Sequence, residues 1–119
     1  MTLLVTGATG FVGRNLLAAS AIAARKPWMT IRRVNDARSF VESRRTIAVD
    51  LREPLQFDEA IDMLVHLAAV IPGRDAVSAE QAALANRAID DQVIEYCCAR
   101  PEVRLIYFSS SSVYGDLPP

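Results

Sequence analysis

Three glycines near the start of the chain have a spacing that could bring the backbone close to a phosphate. Gly7, Gly10 and Gly13 follow a short apolar run and precede a segment whose apolar residues have helical spacing. A turn without Cβ atoms lets N–H groups approach a diphosphate, and the helix N-terminus adds a partial positive charge. The alternative is three packing glycines without a ligand. Because strand, turn and helix follow in this order, the pattern predicts that the turn binds a dinucleotide.

Other polar residues have less specific patterns. His66, the single histidine, lies within an apolar run, which is typical of a core histidine with satisfied hydrogen bonds. Four consecutive serines at residues 109–112 indicate either a polar loop or hydroxyls that contact a substrate. The basic residues between Arg25 and Arg45 are interrupted by the acidic residues Asp36 and Glu42. That pattern favours a solvated face over a nucleic-acid site.

The apolar runs predict the elements that must position these groups. Five runs predict strands, most of them apolar on both faces, and the less apolar second run is expected nearer to a sheet edge. Helical spacing predicts one helix from residue 11 to the Arg25–Pro27 stop, a short turn at residues 58–61, and a long helix. The long helix opens at Ser78, with Gln81 in capping-box spacing, and ends at Pro101. The predicted strands are Thr2–Thr6, Trp28–Val34, Thr46–Val49, Met63–Ala69 and Leu105–Phe108.

Length and composition limit the number of domains, the fold class and the partners that the chain can have. A chain of 119 residues, 51% of them hydrophobic, has room for one domain with one core. Strands that alternate with helices predict an α/β fold with a doubly wound parallel sheet, Rossmann-like, over residues 1–119. The net charge of −1 argues against broad attraction to nucleic acid or membrane, and no metal site is expected. Adjacent Cys97 and Cys98 predict buried thiols in a reducing compartment, and the absence of an apolar leader predicts a cytoplasmic protein.

Five phrases of the sequence together resemble those of a known family. The chain is similar over its whole length to the extended short-chain dehydrogenases/reductases, the group of NAD-dependent nucleotide-sugar epimerases and dehydratases. The resemblance implies that the cofactor is NAD or NADP and that a full-length form acts on a nucleotide-sugar. The phrases are residues 6–13 (TGATGFVG), residues 50–52 (DLR), residues 66–69 (HLAA), Asn86 and residues 109–115 (SSSSVYG).

The resemblance also implies which residues contact the cofactor. Asp50, at the end of the third strand, accepts a hydrogen bond from the adenine amino group beside the Leu51 backbone. Small side chains at the end of the fourth strand leave space for the pyrophosphate and ribose, and Asn86 anchors a central strand or a water near the active site. The implied set is Gly7, Thr9, Gly10, Phe11, Val12, Gly13, Asp50, Leu51, Leu67, Ala68, Ala69, Asn86 and Ser109.

The end of the second strand bears on the choice between NAD and NADP. Arg32 and Arg33 stand in the region where NAD-binding proteins usually place an acidic residue, and they suit the 2′-phosphate of NADP. Asp36 is close enough along the chain to bind the ribose diol of NAD instead. The sequence therefore favours NADP only slightly.

By the same resemblance, Ser110 is the catalytic hydroxyl that contacts the substrate oxygen gaining or losing a hydride. Family dehydratases carry an Asp–Glu pair directly after it. Here Ser111 and Ser112 stand at those positions and cannot act as carboxylate acids or bases, which favours epimerisation or reduction over dehydration. The family's Tyr-x-x-x-Lys pair is missing, because no tyrosine is followed by a lysine four residues later.

We therefore expect the dinucleotide-binding front part of an enzyme, with its sheet truncated after the fifth strand. Such a chain should be inactive alone and should form homo-oligomers through its exposed sheet edge. The alternative is a non-catalytic module of the same superfamily that senses NAD(P) or binds a partner protein.

Overall fold

A five-stranded parallel sheet forms the centre of the computed structural model, which describes residues 1–32 and 45–110. Its spatial order is β3-β2-β1-β4-β5, and every neighbouring pair is parallel. Strand order reverses between β1 and β4, and ligands of open α/β sheets bind at such a point, outside the carboxyl ends of the strands. The strands are β1 (Leu3–Thr6), β2 (Trp28–Ile31), β3 (Arg45–Ala48), β4 (Met63–His66) and β5 (Arg104–Tyr107).

Helices cover both faces of the sheet, which confirms the doubly wound fold. On one face, Leu4 and Leu64 belong to a cluster that includes Ile89 and Val93 of the long helix. On the other face, Val5 and its neighbours pack against the first helix. The helices are α1 (Phe11–Ala18), α2 (Ser20–Ala23) and α3 (Ala79–Cys98), with a short 3-10 turn at Arg74–Ala76.

The start of α3 is confirmed as the sequence predicted it. The hydroxyl of Ser78 accepts a hydrogen bond from the Gln81 N–H at 3.1 Å, and the Gln81 side chain accepts one from the Ser78 N–H at 2.9 Å. This capping box satisfies two N–H groups at the helix N-terminus. The buried face of the helix consists of Ala82, Ile89, Val93 and Tyr96.

The single helix predicted from residue 11 to Arg25 is wrong, because Ala19 interrupts it. Ala19 has an extended backbone with φ −61° and ψ 126°, so α1 ends at Ala18 and α2 begins at Ser20. The interruption lets Ile22 pack against the cluster beneath α1. No glycine or proline marks the position, so no local pattern predicts the interruption.

The helical turn predicted at residues 58–61 is also wrong. The segment is irregular, and Leu55, Phe57 and Ile61 are buried in the cluster on the α3 face. The hydroxyl of Tyr96 donates a hydrogen bond to the Phe57 carbonyl at 3.3 Å. Tertiary contacts of these side chains, rather than a helical repeat, fix the segment.

The position of β2 agrees with the expectation, whereas the exposure of the two cysteines does not. β2 lies between β1 and the edge strand β3, one strand from the edge, and three of its four residues are buried. Cys98 is exposed and Cys97 only half-buried, since the buried face of α3 ends at Tyr96. Within residues 1–32 and 45–110, no helix is both long and apolar enough to cross a membrane.

Candidate functional site

The glycine turn follows β1 and is fixed by close backbone contacts. Gly7 has a φ of 67°, a left-handed conformation that side chains rarely adopt, and a Cβ there would lie 2.6 Å from the backbone N of Ala68. A Cβ at Gly13 would lie 2.7 Å from the Cα of Ala8. The turn therefore packs against the segment that leaves β4 at Gly7, and against the first turn of α1 at Gly13.

Gly10 differs from the other two glycines because it caps a helix. Its own N–H donates to the Gly7 carbonyl at 3.1 Å, and no side chain caps the N-terminus of α1. The first N–H groups of a helix have no partner within it, so the amides of Phe11 and Val12 lie at an uncapped helix end. The side chain of Phe11 is 85% exposed and that of Val12 46% exposed. This end of α1 can donate hydrogen bonds from these amides to the oxygen atoms of an anionic group.

Thr6 ends the pairing of β4 and shapes its exit. The Thr6 hydroxyl accepts hydrogen bonds from the N–H groups of Leu67, at 3.2 Å, and Ala68, at 3.3 Å. For this reason β4 ends at His66 and not at Ala69, where the sequence predicted its end. Leu67 and Ala68 are half-buried and Ala69 is exposed, which leaves a low surface beside the glycine turn.

Asn86, on α3, holds the chain that leaves β4. Its side-chain oxygen accepts from the Val70 N–H at 2.6 Å, and its amide donates to the Val70 carbonyl at 2.9 Å. Asn86 thus anchors the segment that follows β4 rather than a strand. Direct contact between Asn86 and a cofactor stays a prediction.

Two arginine side chains hold exposed loops around the site. Arg14 donates from Nε to the Thr9 carbonyl at 2.8 Å and so braces the glycine turn. Arg52 donates from Nε to Asp50 at 2.9 Å and from its backbone N–H at 3.1 Å. These hydrogen bonds lower the pKa of the Asp50 carboxyl to about 2. The adjacent Leu51 side chain is buried in the core, so only its backbone can take part in the contact expected of it.

A cavity of about 460 Å³ lies beside the exits of β2 and β3. Arg32 and Arg52 both line it, and Asp75 contributes a negative charge to the same wall. The structure thus places Arg32 and Arg52 in the wall of one cavity, whereas the sequence analysis proposed no ligand contact for Arg52. Arg33 and Asp36 lie outside the described residues. Other lining residues are Val70, Gln81 and Ala85.

His66 is a satisfied core histidine, as predicted. Its side chain is 2% exposed, with Nδ1 2.6 Å from the Thr6 hydroxyl and Nε2 3.0 Å from a carboxylate oxygen of Asp90. The Tyr107 hydroxyl donates to the other Asp90 oxygen at 2.8 Å, and this hydrogen bond raises the pKa of Tyr107. The four side chains connect β1, β4, α3 and β5.

Ser109 and Ser110 follow β5 at the same edge of the sheet and are exposed. Their position fits the expected approach of a cofactor and substrate, although their contacts with either stay a prediction. The remaining residues of that phrase, from Ser111 to Gly115, lie outside the described residues. Within the part of the chain that the structure describes, no three His, Cys, Asp or Glu side chains gather as a metal site.

Comparison with known proteins decides the family. Residues 3–119 match the NAD dependent epimerase/dehydratase family. This chain belongs to that family. Relatives include dTDP-glucose 4,6-dehydratase of Mycolicibacterium smegmatis, 29% identical over 98% of this chain and 38% of that protein. The expected resemblance and the cofactor class, NAD or NADP, are thereby confirmed.

Two solved structures of such enzymes share the fold. A UDP-galactose 4-epimerase superposes with a TM-score of 0.74 at 24% identity, covering 98% of this chain and 40% of that one. The ADP-L-glycero-D-manno-heptose-6-epimerase of Helicobacter pylori gives a TM-score of 0.69 at 26% identity, covering 99% of this chain and 42% of that one. The chain therefore spans about two fifths of the length of these relatives.

Membership of the epimerase/dehydratase family was visible in the sequence, but the hydrogen bonds that join His66 to Thr6, Asp90 and Tyr107 were not. Thr6 and His66 each close an apolar strand, and this shared position could have suggested a contact between them. Asp90 stands four residues after Asn86, a spacing that places both on the same face of a helix. Tyr107 carries no local signal, because its contact depends on the neighbouring strand.

Proposed function

We propose that this chain binds NAD(P) at the glycine turn and forms part of an enzyme that epimerises or reduces a nucleotide-sugar. The observation that carries the proposal is the uncapped N-terminus of α1, which begins directly after Gly10, a residue without a side chain. Gly7 and Gly13 hold that turn against neighbouring backbone, while a Cβ at Gly10 would have only the Gly7 carbonyl, at 3.3 Å, within 4 Å. Backbone donors and an unobstructed approach are what a diphosphate requires.

Each part of the cofactor has candidate contacts along the carboxyl edge. The amides of Phe11 and Val12 suit the diphosphate, and the low surface at Ala68 and Ala69 suits the adjoining ribose. Ser109 lies where the nicotinamide side of the cofactor is expected. The bound cofactor would supply hydride acceptance and return. The further candidate residues in this arrangement are Thr9, Asp50, Leu51, Leu67, Asn86 and, toward the substrate oxygen, Ser110.

Epimerisation or reduction is proposed over dehydration because of the residues after Ser110. Water removal needs a proton acceptor and a proton donor, which the hydroxyls of Ser111 and Ser112 do not provide near neutral pH. The relatives' names include both dehydratase and epimerase. Supplying in trans the part of a related enzyme that this chain does not cover, and assaying both reactions, would test this choice. Dehydration without epimerisation would contradict it.

The cavity beside β2 supports a modest preference for NADP. Arg32 and Arg52 both line it, and guanidinium groups suit a phosphate monoester such as the 2′-phosphate. Asp75 in the same wall opposes that preference, which is why we expect no more than about a tenfold difference, or about 1.4 kcal/mol, between NADPH and NADH. Arg32→Ala should reduce affinity for NADPH and leave that for NADH nearly unchanged.

The proposal is tested by titrating the purified chain with NADH and NADPH, followed by fluorescence or calorimetry. Gly10→Val should lower both affinities by at least about tenfold, because a branched side chain would cover the amides of the helix end. Gly10 has φ −73° and ψ 174°, a conformation that valine adopts easily, so the variant should fold. Arg87→Ala, at an exposed position on α3, is the control. Unchanged binding by a folded Gly10→Val would show that the turn is not the site.

We also propose that the chain self-associates and is cytoplasmic. Ile106 and Phe108, on β5 and just after it, are 42% and 52% exposed, although both are apolar. Free thiols at Cys97 and Cys98 agree with a reducing compartment. Sedimentation should show a mass that rises with concentration, and a monomer at all concentrations would contradict self-association.

A further inference from the structure

One row of side chains crosses three strands directly beneath the candidate site. Thr6, His66 and Tyr107 are register partners in β1, β4 and β5, and each is the last residue of its strand. The glycine turn, the exit of β4 and the serine run begin after them. Asp90 of α3 contacts two members of the row. A single carboxylate is therefore connected to the ends of two neighbouring strands.

The hydrogen bonds of Thr6 determine which nitrogen of His66 carries a proton. A hydroxyl has two acceptor positions and one proton to donate. Leu67 and Ala68 donate their N–H groups to the Thr6 oxygen, so its own proton is directed to His66 Nδ1 at 2.6 Å. Nδ1 is then an acceptor, and the ring is neutral with its proton on Nε2, directed at Asp90.

Asp90 therefore accepts one hydrogen bond on each carboxylate oxygen. His66 donates to one oxygen at 3.0 Å, and Tyr107 donates to the other at 2.8 Å. Hydrogen bonds to an ionised acceptor are stronger than those between neutral groups, and the Asp90 side chain is only 28% exposed. One turn earlier on α3, Asn86 holds Val70. The same helix face thus fixes the exit of β4 at two points and the end of β5 at one.

We propose that Asp90 is a positioning residue for the dinucleotide site. Its carboxylate accepts from the Nε2–H that the Thr6 contact leaves on His66, and it holds Tyr107 three residues before Ser110. In this way Asp90 sets the spacing between the exits of β4 and β5. The inference rests on the proposed function for the identity of the ligand, while the hydrogen-bond network itself does not depend on it.

The test compares three variants of the chain by titration with NADH and NADPH. Asp90→Ala should weaken binding by about tenfold, because the exits of β4 and β5 lose their shared support. Asp90→Asn should retain affinity within about threefold of wild type, since its amide oxygen can still accept from His66. Asp91→Ala is the matched control, because Asp91 is the next residue on α3 and its side chain is 66% exposed. The control should bind as wild type does.

Nitrogen NMR of the histidine ring supplies a readout that a general loss of stability would not reproduce. Wild type should show the tautomer with the proton on Nε2, and in Asp90→Ala the Nε2 resonance should shift because its N–H loses the carboxylate acceptor. If Asp90→Ala does not fold, Tyr107→Phe removes one of the two contacts and should weaken binding by about threefold. A proton on Nδ1 in wild type, or a folded Asp90→Ala with unchanged affinity, would overturn the inference. A wild-type chain that binds neither nucleotide would refute the proposed function, while the change in the Nε2 resonance between wild type and Asp90→Ala would still decide whether the contact of His66 with Asp90 exists.

Discussion

The carboxyl edge of the sheet is built differently on its two sides. At β1 and β4, the site is held by backbone packing at Gly7 and by the buried groups Thr6 and His66. At β2 and β3, it is held by the exposed ion pair of Asp50 and Arg52. Changes on the first side should therefore disturb folding and binding together, whereas changes on the second should alter ligand preference with little effect on stability.

The largest expected effect is at the glycine turn. Gly7→Ala would place a Cβ 2.6 Å from the backbone of Ala68 in a residue with φ 67°. The backbone must shift to relieve a contact that short, so we expect the free energy of unfolding to fall by on the order of 3 kcal/mol or more. Urea denaturation of wild type and Gly7→Ala would measure this difference.

Gly73 offers a matched control for the conformational part of that loss. It has a φ of 79°, and a Cβ there would meet nothing within 4 Å. Gly73→Ala should therefore cost only the left-handed strain, about 1–2 kcal/mol. Equal losses of unfolding free energy in Gly7→Ala and Gly73→Ala would mean that the close contact of Gly7 with the exit of β4 adds nothing to the effect of Gly7→Ala.

A smaller loss is expected when the Thr6 hydroxyl is removed. Thr6→Val keeps the shape of the side chain but leaves two N–H groups and His66 Nδ1 without this partner. We expect a loss of about 2–3 kcal/mol in urea denaturation, since these groups are buried or partly buried. Thr46→Val, on the edge strand β3, should change the free energy of unfolding by less than about 0.5 kcal/mol. A similar effect at both positions would contradict the contrast between the two sides.

The smallest effect is expected at Asp50. Its pKa in the folded chain, about 2, lies below the ordinary 3.8, so its pairing stabilises the fold above about pH 4. That contribution is lost as the pH falls from about 4 to 2. Because the side chain is 35% exposed, solvent screening should keep it below about 1 kcal/mol. The difference between wild type and Asp50→Asn in urea denaturation should shrink between pH 7 and pH 3, and a difference independent of pH would refute the pairing.

The parts of the fold that were predictable from the sequence are those governed by short-range chemistry. The glycine turn and the capping box of Ser78 and Gln81 were recognisable because each depends on residues within a few positions of one another. The parallel sheet followed from the apolar runs, and the lone His66 was correctly interpreted as buried.

The failures have a common physical cause. The interruption at Ala19 and the irregular segment around Phe57 are fixed by what their neighbours bury, which no local pattern encodes. The contacts of Asp90 with His66 and Tyr107 join residues 24 and 17 positions away, and the pairing of Arg32 with Arg52 across one cavity depends on strand order. Family phrases pointed to the positions that contact a cofactor, but not to the side chains that hold those positions in place.

Thr6, His66 and Tyr107 end their strands in one register, so three neighbouring strands stop level with each other. A ligand that lies across these three strand ends would contact an even edge of the sheet. Inserting one residue into any of these strands would extend that strand beyond its neighbours and turn its last side chain to the opposite face of the sheet. Insertions in the loop at residues 71–76 would not change where the strands end. We therefore expect insertions to be tolerated in that loop and to disrupt the site when they fall within β4.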